Sequence, residues 1–332
     1  MISLASLDNI LSKRPEESWK YISDCVWNIF SQQINETCIE NEASLRDSLT
    51  NDIESLLATS CSDLWDEFDR CISKTSDEVK SFWSNSSDGK AVLILDGLSM
   101  RELPFILQGL ESRNYTIDKA CITGAELPSH TNSFAKAIGI SSRSSLTNNE
   151  KSKKSIFNNA YTDCIGLSWD ESKEIISSQP NLFIWHEYPD KKVHELDSYG
   201  CTIQNLSKNM YSVFSDEKFW EFIKKISTGR DVIITSDHGY AHTGMFMDVT
   251  DNDVKDYLKK QYKSARYRKT QNNEQVWVPA IEKSINSNHG DYTFVLNKIK
   301  WKVPGGYPTL SHGGLSLLEV MVPFIQFRQE GK

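Results

Sequence analysis

The sequence predicts an α/β protein in which a mostly parallel central sheet is covered by helices on both faces and preceded by a region made of helices alone. Three observations carry this. Short, continuous β-branched and apolar runs recur after residue 90, as in strands buried on both faces of a parallel sheet. Helix-length amphipathic stretches alternate with them. Before Gly89 there is no glycine and only one proline, Pro15, while apolar residues recur at helical spacing.

In chain order, Trp19, Ile22, Val26 and Phe30 mark one amphipathic helix and Leu64, Phe68 and Ile72 another, so residues 1–88 read as a helical N-terminal region. The polar stretch WSNSSDGK (83–90) closes it. Strands are then expected at AVLIL (91–95), YTIDKACI (115–122), CIGLSW (164–169), LFIWHE (182–187), DVIITS (231–236) and VMVPFIQF (320–327). Residues 89–332 form this second unit. An insertion at about 240–310 interrupts it, with a basic stretch, KDYLKKQYKSARYRK (255–269), followed by YTFVLNKIKWKVPGGYP, and is expected to contain a hairpin.

Charge and cysteine content narrow the function classes. The 332 residues carry a net −8, but residues 1–88 hold seventeen acids against seven bases, leaving 28 acids and 30 bases for the remainder. A protein devoted to coating nucleic acid would be more basic, whereas a near-neutral larger unit can still handle a polyanion locally. The seven cysteines, at 25, 38, 61, 71, 121, 164 and 201, are odd in number and form no C-x-x-C pair. Neither a disulfide framework nor a thiolate zinc site is indicated, and a reducing cytoplasm is expected. With no basic leader and no run near the roughly 18 apolar residues of a membrane span, the chain is expected to be neither exported nor embedded.

In sheets of this kind, ligands bind beyond the carboxyl ends of the strands. AVLILDG ends on Asp96. LFIWHEYPDKKVHELD carries Asp190 and His194 as it leaves its strand, TSDHG supplies Asp237 and His238, and PTLSHGG places His312 ahead of the last strand. Carboxylate and imidazole without thiolate is a donor mix for Zn²⁺ or Mn²⁺, and Asp-x-x-x-His on a helical turn shares one face. Six such groups suit two ions, which at about 3.5–4 Å apart clamp the attacking and leaving oxygens of a phosphoryl displacement. Singly, each has a structural explanation, a helix cap for an aspartate or a turn for His312. Only the joint pattern points to a metal centre. TGAELPSHTNSFAKAIG (123–139) adds Ser129, Thr131 and Ser133 at the expected start of a helix, where a hydroxyl is either a nucleophile or an ordinary cap. His130 between them reads as a surface residue or a phosphate contact.

The motif order LILDG, LPSHT, DKKVH, SDHG and SHGGLSLLEVMVPF resembles the PglZ domain of the alkaline phosphatase superfamily over roughly residues 90–328. That resemblance implies an alkaline-phosphatase-like three-layer core. It puts Asp190, His194 and His312 on one divalent ion and Asp96, Asp237 and His238 on the other, zinc or alternatively manganese. Thr131 is the implied nucleophile and Ser129 the alternative, because Glu126 occupies the place where other branches carry it. The activity expected is two-metal phosphodiester hydrolysis on a nucleotide or nucleic acid. The basic, tyrosine-bearing stretch reads first as a solvated helix and, if it overhangs the ions, as a surface that draws in the substrate. Phosphomonoester hydrolysis and a non-catalytic assembly role are the alternatives. The family also implies anti-phage defence, with the acidic helical region docking a protein partner.

Overall fold

The structure, a computed structural model, describes residues 10, 12–85, 89–146, 157, 160–197, 202–242, 247–262, 266–270, 281–296, 299–300 and 310–329. The apolar runs become the strands of one six-stranded sheet: β1 (Lys90–Leu95), β2 (Tyr115–Gly124), β3 (Tyr161–Ile165), β4 (Asn181–His186), β5 (Asp231–Thr235) and, at the end of the chain, β13 (Met321–Gln329). Their order is β2-β13-β5-β1-β4-β3. β5, β1, β4 and β3 pair in parallel, while β13 runs antiparallel between β5 and β2.

Alternation along the strands builds two cores. Leu93, Leu95, Leu182, Ile184, Val232 and Ile234 face one cluster; Val92, Ile94, Phe183, Trp185 and Ile233 face the other. Side chains of successive strand residues point to opposite faces, so the sheet is the middle of three layers. Trp19, Ile22, Val26, Phe30 and Leu57 of the N-terminal helices share the first core, together with Leu206 and Phe222. Val79 and Trp83 of the Thr75–Asn85 helix, with Phe134 and Ala135 of the Thr131–Ala137 helix, cover the second.

Between β5 and β13 lie β6 (Ala241–His242), β7 (Met247–Asp248), β8 (Tyr267–Lys269), β9 (Glu282–Ser287), β10 (Gly290–Val295), β11 (Ile299–Lys300) and β12 (Leu310–Ser311). β8, β10 and β9 form a small antiparallel sheet, with β9 and β10 as a hairpin. The basic stretch is divided between the Asn252–Gln261 helix and β8, and its residues 263–265 lie outside the described residues. One strand differs from expectation. β3 ends at Ile165, not 169, because Ser168 accepts a bond from the Glu171 N–H and caps a helix that begins at Trp169.

Topology then gathers the polar residues. The carboxyl ends of parallel β1, β4 and β5 share one rim. Antiparallel β13 begins at that rim, where Met321 pairs with Gly124, the last residue of β2. The turn entering β13 and the loop leaving β2 therefore join the three strand ends.

Candidate active site

Asp96 and Asp237 follow β1 and β5, and both are fully buried, as is His238. Gly97 turns the chain at φ +71° and donates its N–H to Asp237 Oδ1 at 3.1 Å. A Cβ on Gly97 would lie 3.0 Å from the Asp190 Cβ, so the absence of a side chain admits the third carboxylate. Asp190 opens the helix Asp190–Asp197, its N–H bonded to the Asp96 carbonyl at 2.8 Å. One helical turn on, His194 Nε2 lies 3.3 Å from Asp190 Oδ2. His312 stacks on His238 with ring centroids 4.2 Å apart, and its centroid is 5.7 Å from that of His194.

All six predicted ligand residues therefore meet. One donor atom each from Asp190, His194 and His312 falls within 4.8 Å of the others, and so does one each from Asp96, Asp190 and His238. Asp190 belongs to both groups. Asp237 adjoins the second, its Oδ2 3.4 Å from His238 Nε2.

The hydrogen bonding fits divalent cations. Asp96 Oδ1, Asp237 Oδ2 and His312 Nδ1 are buried atoms with no hydrogen-bond partner, an arrangement costly to fold unless a cation satisfies it. His238 Nδ1 contacts the Gly239 carbonyl at 2.9 Å. A donor at Nδ1 leaves Nε2 facing Asp96 at 3.6 Å, the way a backbone carbonyl bonded to one ring nitrogen orients the other toward a metal. Gly239 itself is required by space: a Cβ there would lie 2.1 Å from the Leu318 carbonyl oxygen.

Electrostatics agree. Burial raises Asp96 well above its ordinary pKa, and the neighbouring Asp237 carboxylate adds to it. Burial pulls His238 down, but Asp237, Asp190 and Asp96 outweigh it and bring it up to about 9. Burial, reinforced by the His238 charge, lowers His312 to about 3. Burial also pushes Asp190 up, yet the bond from His194 and the charges of His238 and His312 leave it below the usual carboxylate range. Carboxylates this close share protons until a cation replaces them.

Thr131 is the first residue of the Thr131–Ala137 helix, with Oγ1 3.5 Å from His238 Nε2. The cap is His130, whose Nδ1 accepts from the Asn132 N–H at 2.9 Å. Ser129 is buried and committed to the His312 turn, donating to the Gly314 carbonyl and accepting from the Gly313 N–H, both at 3.1 Å. Glu126 is bonded by Ser76 at 2.6 Å and His289 at 2.9 Å.

Sequence reasoning missed two neighbours of Asp96. Trp185 donates Nε1–H to Asp96 Oδ2 at 3.1 Å, and Arg143 forms an ion pair with the same oxygen. A tryptophan in a buried strand needs an acceptor for its N–H, which is the signal that could have found Trp185. Arg143, in SSRSS, carried none. Within the insertion, Tyr267 borders the site: its ring centroid is 5.6 Å from that of His130, and its edge lies 3.0 Å from where a Gly313 Cβ would be. Arg266 pairs with buried Glu319, and Arg268 with Glu282 at 3.3 Å.

A family model described as the BREX system PglZ alkaline phosphatase-like domain matches residues 137–327, more than half of the chain. It takes in Asp190, His194, Asp237, His238 and His312 and begins after Asp96 and Thr131. No curated protein matches. Among solved structures, the chain is similar to murine ectonucleotide pyrophosphatase/phosphodiesterase 5, an inactive form in complex with AMP, at 13% identity and TM-score 0.45 over 73% of this chain and 88% of that one. The human protein of that name gives 12% and 0.42 over 73% and 88%. Phosphonoacetate hydrolase from Sinorhizobium meliloti, with phosphonoacetate, gives 13% and 0.37 over 74% and 91%. The three-layer fold and the match across residues 137–327 make the chain a member of the PglZ family of alkaline phosphatase-like domains.

Proposed function

We propose that the chain is a two-metal phosphodiesterase acting on a nucleotide or nucleic acid through Thr131, and that it serves in a prokaryotic anti-phage defence system of the BREX kind named in its family's description. The observation that carries the hydrolytic reading is the set of three buried atoms without hydrogen-bond partners, on Asp96, Asp237 and His312, within one cluster of carboxylates and imidazoles. Asp190, His194 and His312 would hold one divalent cation and Asp96, Asp237 and His238 the other, zinc or manganese by donor type. Bound there, such ions supply the positive charge that phosphoryl transfer requires.

The chain's own groups do the rest. Thr131 Oγ1 forms the new bond to phosphorus as its hydroxyl proton is released to solvent, and the ester oxygen departs with the electrons of the broken P–O bond and takes up a proton. Water then cleaves the Thr131–phosphorus ester, which still carries the second substituent, restoring the hydroxyl and releasing a phosphomonoester. Ser129 is the weaker candidate, since its hydroxyl already bonds both ways within the protein. His130, accepting at Nδ1, presents its Nε2–H as a donor beside Thr131, suited to a phosphoryl oxygen. Tyr267 and His130 give a second ester substituent an aromatic surface, which favours a diester.

One observation favours a phosphomonoester instead. Arg143 is a guanidinium at the site, and the extra charge of a monoester calls for such a group. Its pairing with Asp96 and with Glu187 at 3.4 Å already neutralises it, so we place the diester first. Hydrolysis of a bis-aryl phosphate and an aryl monophosphate, side by side, decides. Faster diester cleavage is expected, and faster monoester cleavage reverses the assignment. If neither is cleaved by metal-loaded protein, the assembly role takes its place, with the acidic helical region as the docking surface for a protein partner.

A further inference from the structure

Two carboxylates of the Ile39–Thr59 helix, Asp47 and Glu54, lie seven residues apart and thus on one face. Both are buried, at 2% and 5% exposure. Asp47 receives a two-pronged bond from Arg101, Nε to Oδ1 at 2.8 Å and Nη2 to Oδ2 at 2.9 Å. The remaining arm of that guanidinium, Nη1, donates to the Tyr240 carbonyl at 2.6 Å, two residues beyond His238. Tyr240 is gripped again at its hydroxyl, which donates to Glu102 Oε1 at 2.5 Å, and Arg101 lies over its ring at 4.8 Å.

Glu54 reaches the other ligand segment. Its Oε1 accepts the Leu317 N–H at 2.7 Å, five residues after His312. The two segments are also joined directly, because Gly239 donates its N–H to the Glu319 carbonyl at 2.9 Å.

We infer that Asp47, acting through Arg101, is a positioning residue of the metal centre: it fixes the Tyr240 carbonyl and so the placement of His238. The inference rests on the metal-centre reading above. A buried ion pair stabilises a fold little better than apolar residues of equal volume, so the specific effect of this one is geometric. An arginine oriented by a planar carboxylate holds its third arm in one direction, which a lysine or an apolar residue does not. The helical region that looks separate in the sequence thereby becomes part of the site's frame.

The test is the Zn²⁺ affinity of the full chain, measured by chelator competition for wild type, Asp47→Asn and the paired Asp47→Leu/Arg101→Met. The single variant leaves a buried guanidinium uncompensated and is expected to melt lower. The paired variant removes both charges and is expected to recover stability while still binding Zn²⁺ about 10- to 100-fold more weakly than wild type, the usual cost of losing support around a metal site. A folded paired variant with wild-type affinity overturns the inference. Wild type that takes up no Zn²⁺ defeats the metal-centre reading itself. Hydrogen exchange on wild type needs no variant: since coupling is reciprocal, Zn²⁺ must add protection to residues 39–59. Unchanged exchange there overturns the inference as well.

Discussion

At the site, the decisive unit is an atom without a partner. Asp237 Oδ2 is buried with no hydrogen-bond partner, 3.4 Å from His238 Nε2 in a cluster of carboxylates, where a bound cation would offset the cost of its burial. Asp237→Ala is therefore expected to abolish metal-dependent hydrolysis and lower the metal bound per chain, read by elemental analysis; full metal content in the variant would contradict its role. Thr131→Ala should retain metal and lose turnover, while Thr131→Ser, which keeps a hydroxyl, should retain measurable activity. Wild-type rates in the alanine variant would remove Thr131 as nucleophile. The raised pKa of His238, about 9 in the metal-free cluster, carries its own consequence. A metal must displace that proton, so apparent affinity is expected to climb by about tenfold per pH unit below 9. Affinity that stays flat between pH 6 and 8 would contradict it. At this scale the convergence of the six candidate ligands was legible because a charged residue at the end of an apolar strand is conspicuous. Arg143 was not, since an arginine among serines looks the same whether it pairs with Asp96 or with solvent.

Elements show where pattern suffices and where chemistry intervenes. Strand interiors β1, β4 and β5 were readable from apolar continuity alone. β3 was misplaced because Ser168 and Glu171 form a capping box within a run that looked like strand. The Thr131–Ala137 helix takes its cap from His130, while Ser129, a better cap by type, is used to tie two loops together. The glycine after His238 supplies room against the Leu318 carbonyl. Gly239→Ala should cost about 1–3 kcal/mol or more and weaken metal binding, seen as a lower melting temperature. Glu102 is raised to about 7 by burial, partly offset by the bond from Tyr240. The folded state thus holds this proton more tightly than the unfolded state. Its contribution is fully present below about pH 4.5 and lost as pH rises through 7, amounting to about 3 kcal/mol. Glu102→Gln is expected to flatten that part of the melting-temperature profile of metal-free protein, and an unaltered slope would contradict the assignment.

Across the whole molecule, composition separated an acidic helical quarter from a near-neutral remainder, and that contrast was real as sequence. What it could not reveal is packing. Trp19, Ile22, Val26 and Phe30 lie in the same core as Leu93, Ile184 and Ile234, and a helical heptad does not announce which face of which sheet it will cover. Removing residues 1–88 should expose that face and leave a chain that aggregates, judged by size-exclusion profile; a monodisperse, folded fragment would contradict the shared core. Among the described residues no helix is long and apolar enough to cross a membrane. The proposed function depends on distant segments converging at one rim to hold cations. The direct measurement is a titration of metal-free protein with Zn²⁺ and, separately, Mn²⁺, followed by calorimetry. Two equivalents per chain, with proton release on binding, is the predicted result. Binding of neither ion, or binding unaffected by Asp237→Ala and His312→Ala, would contradict it.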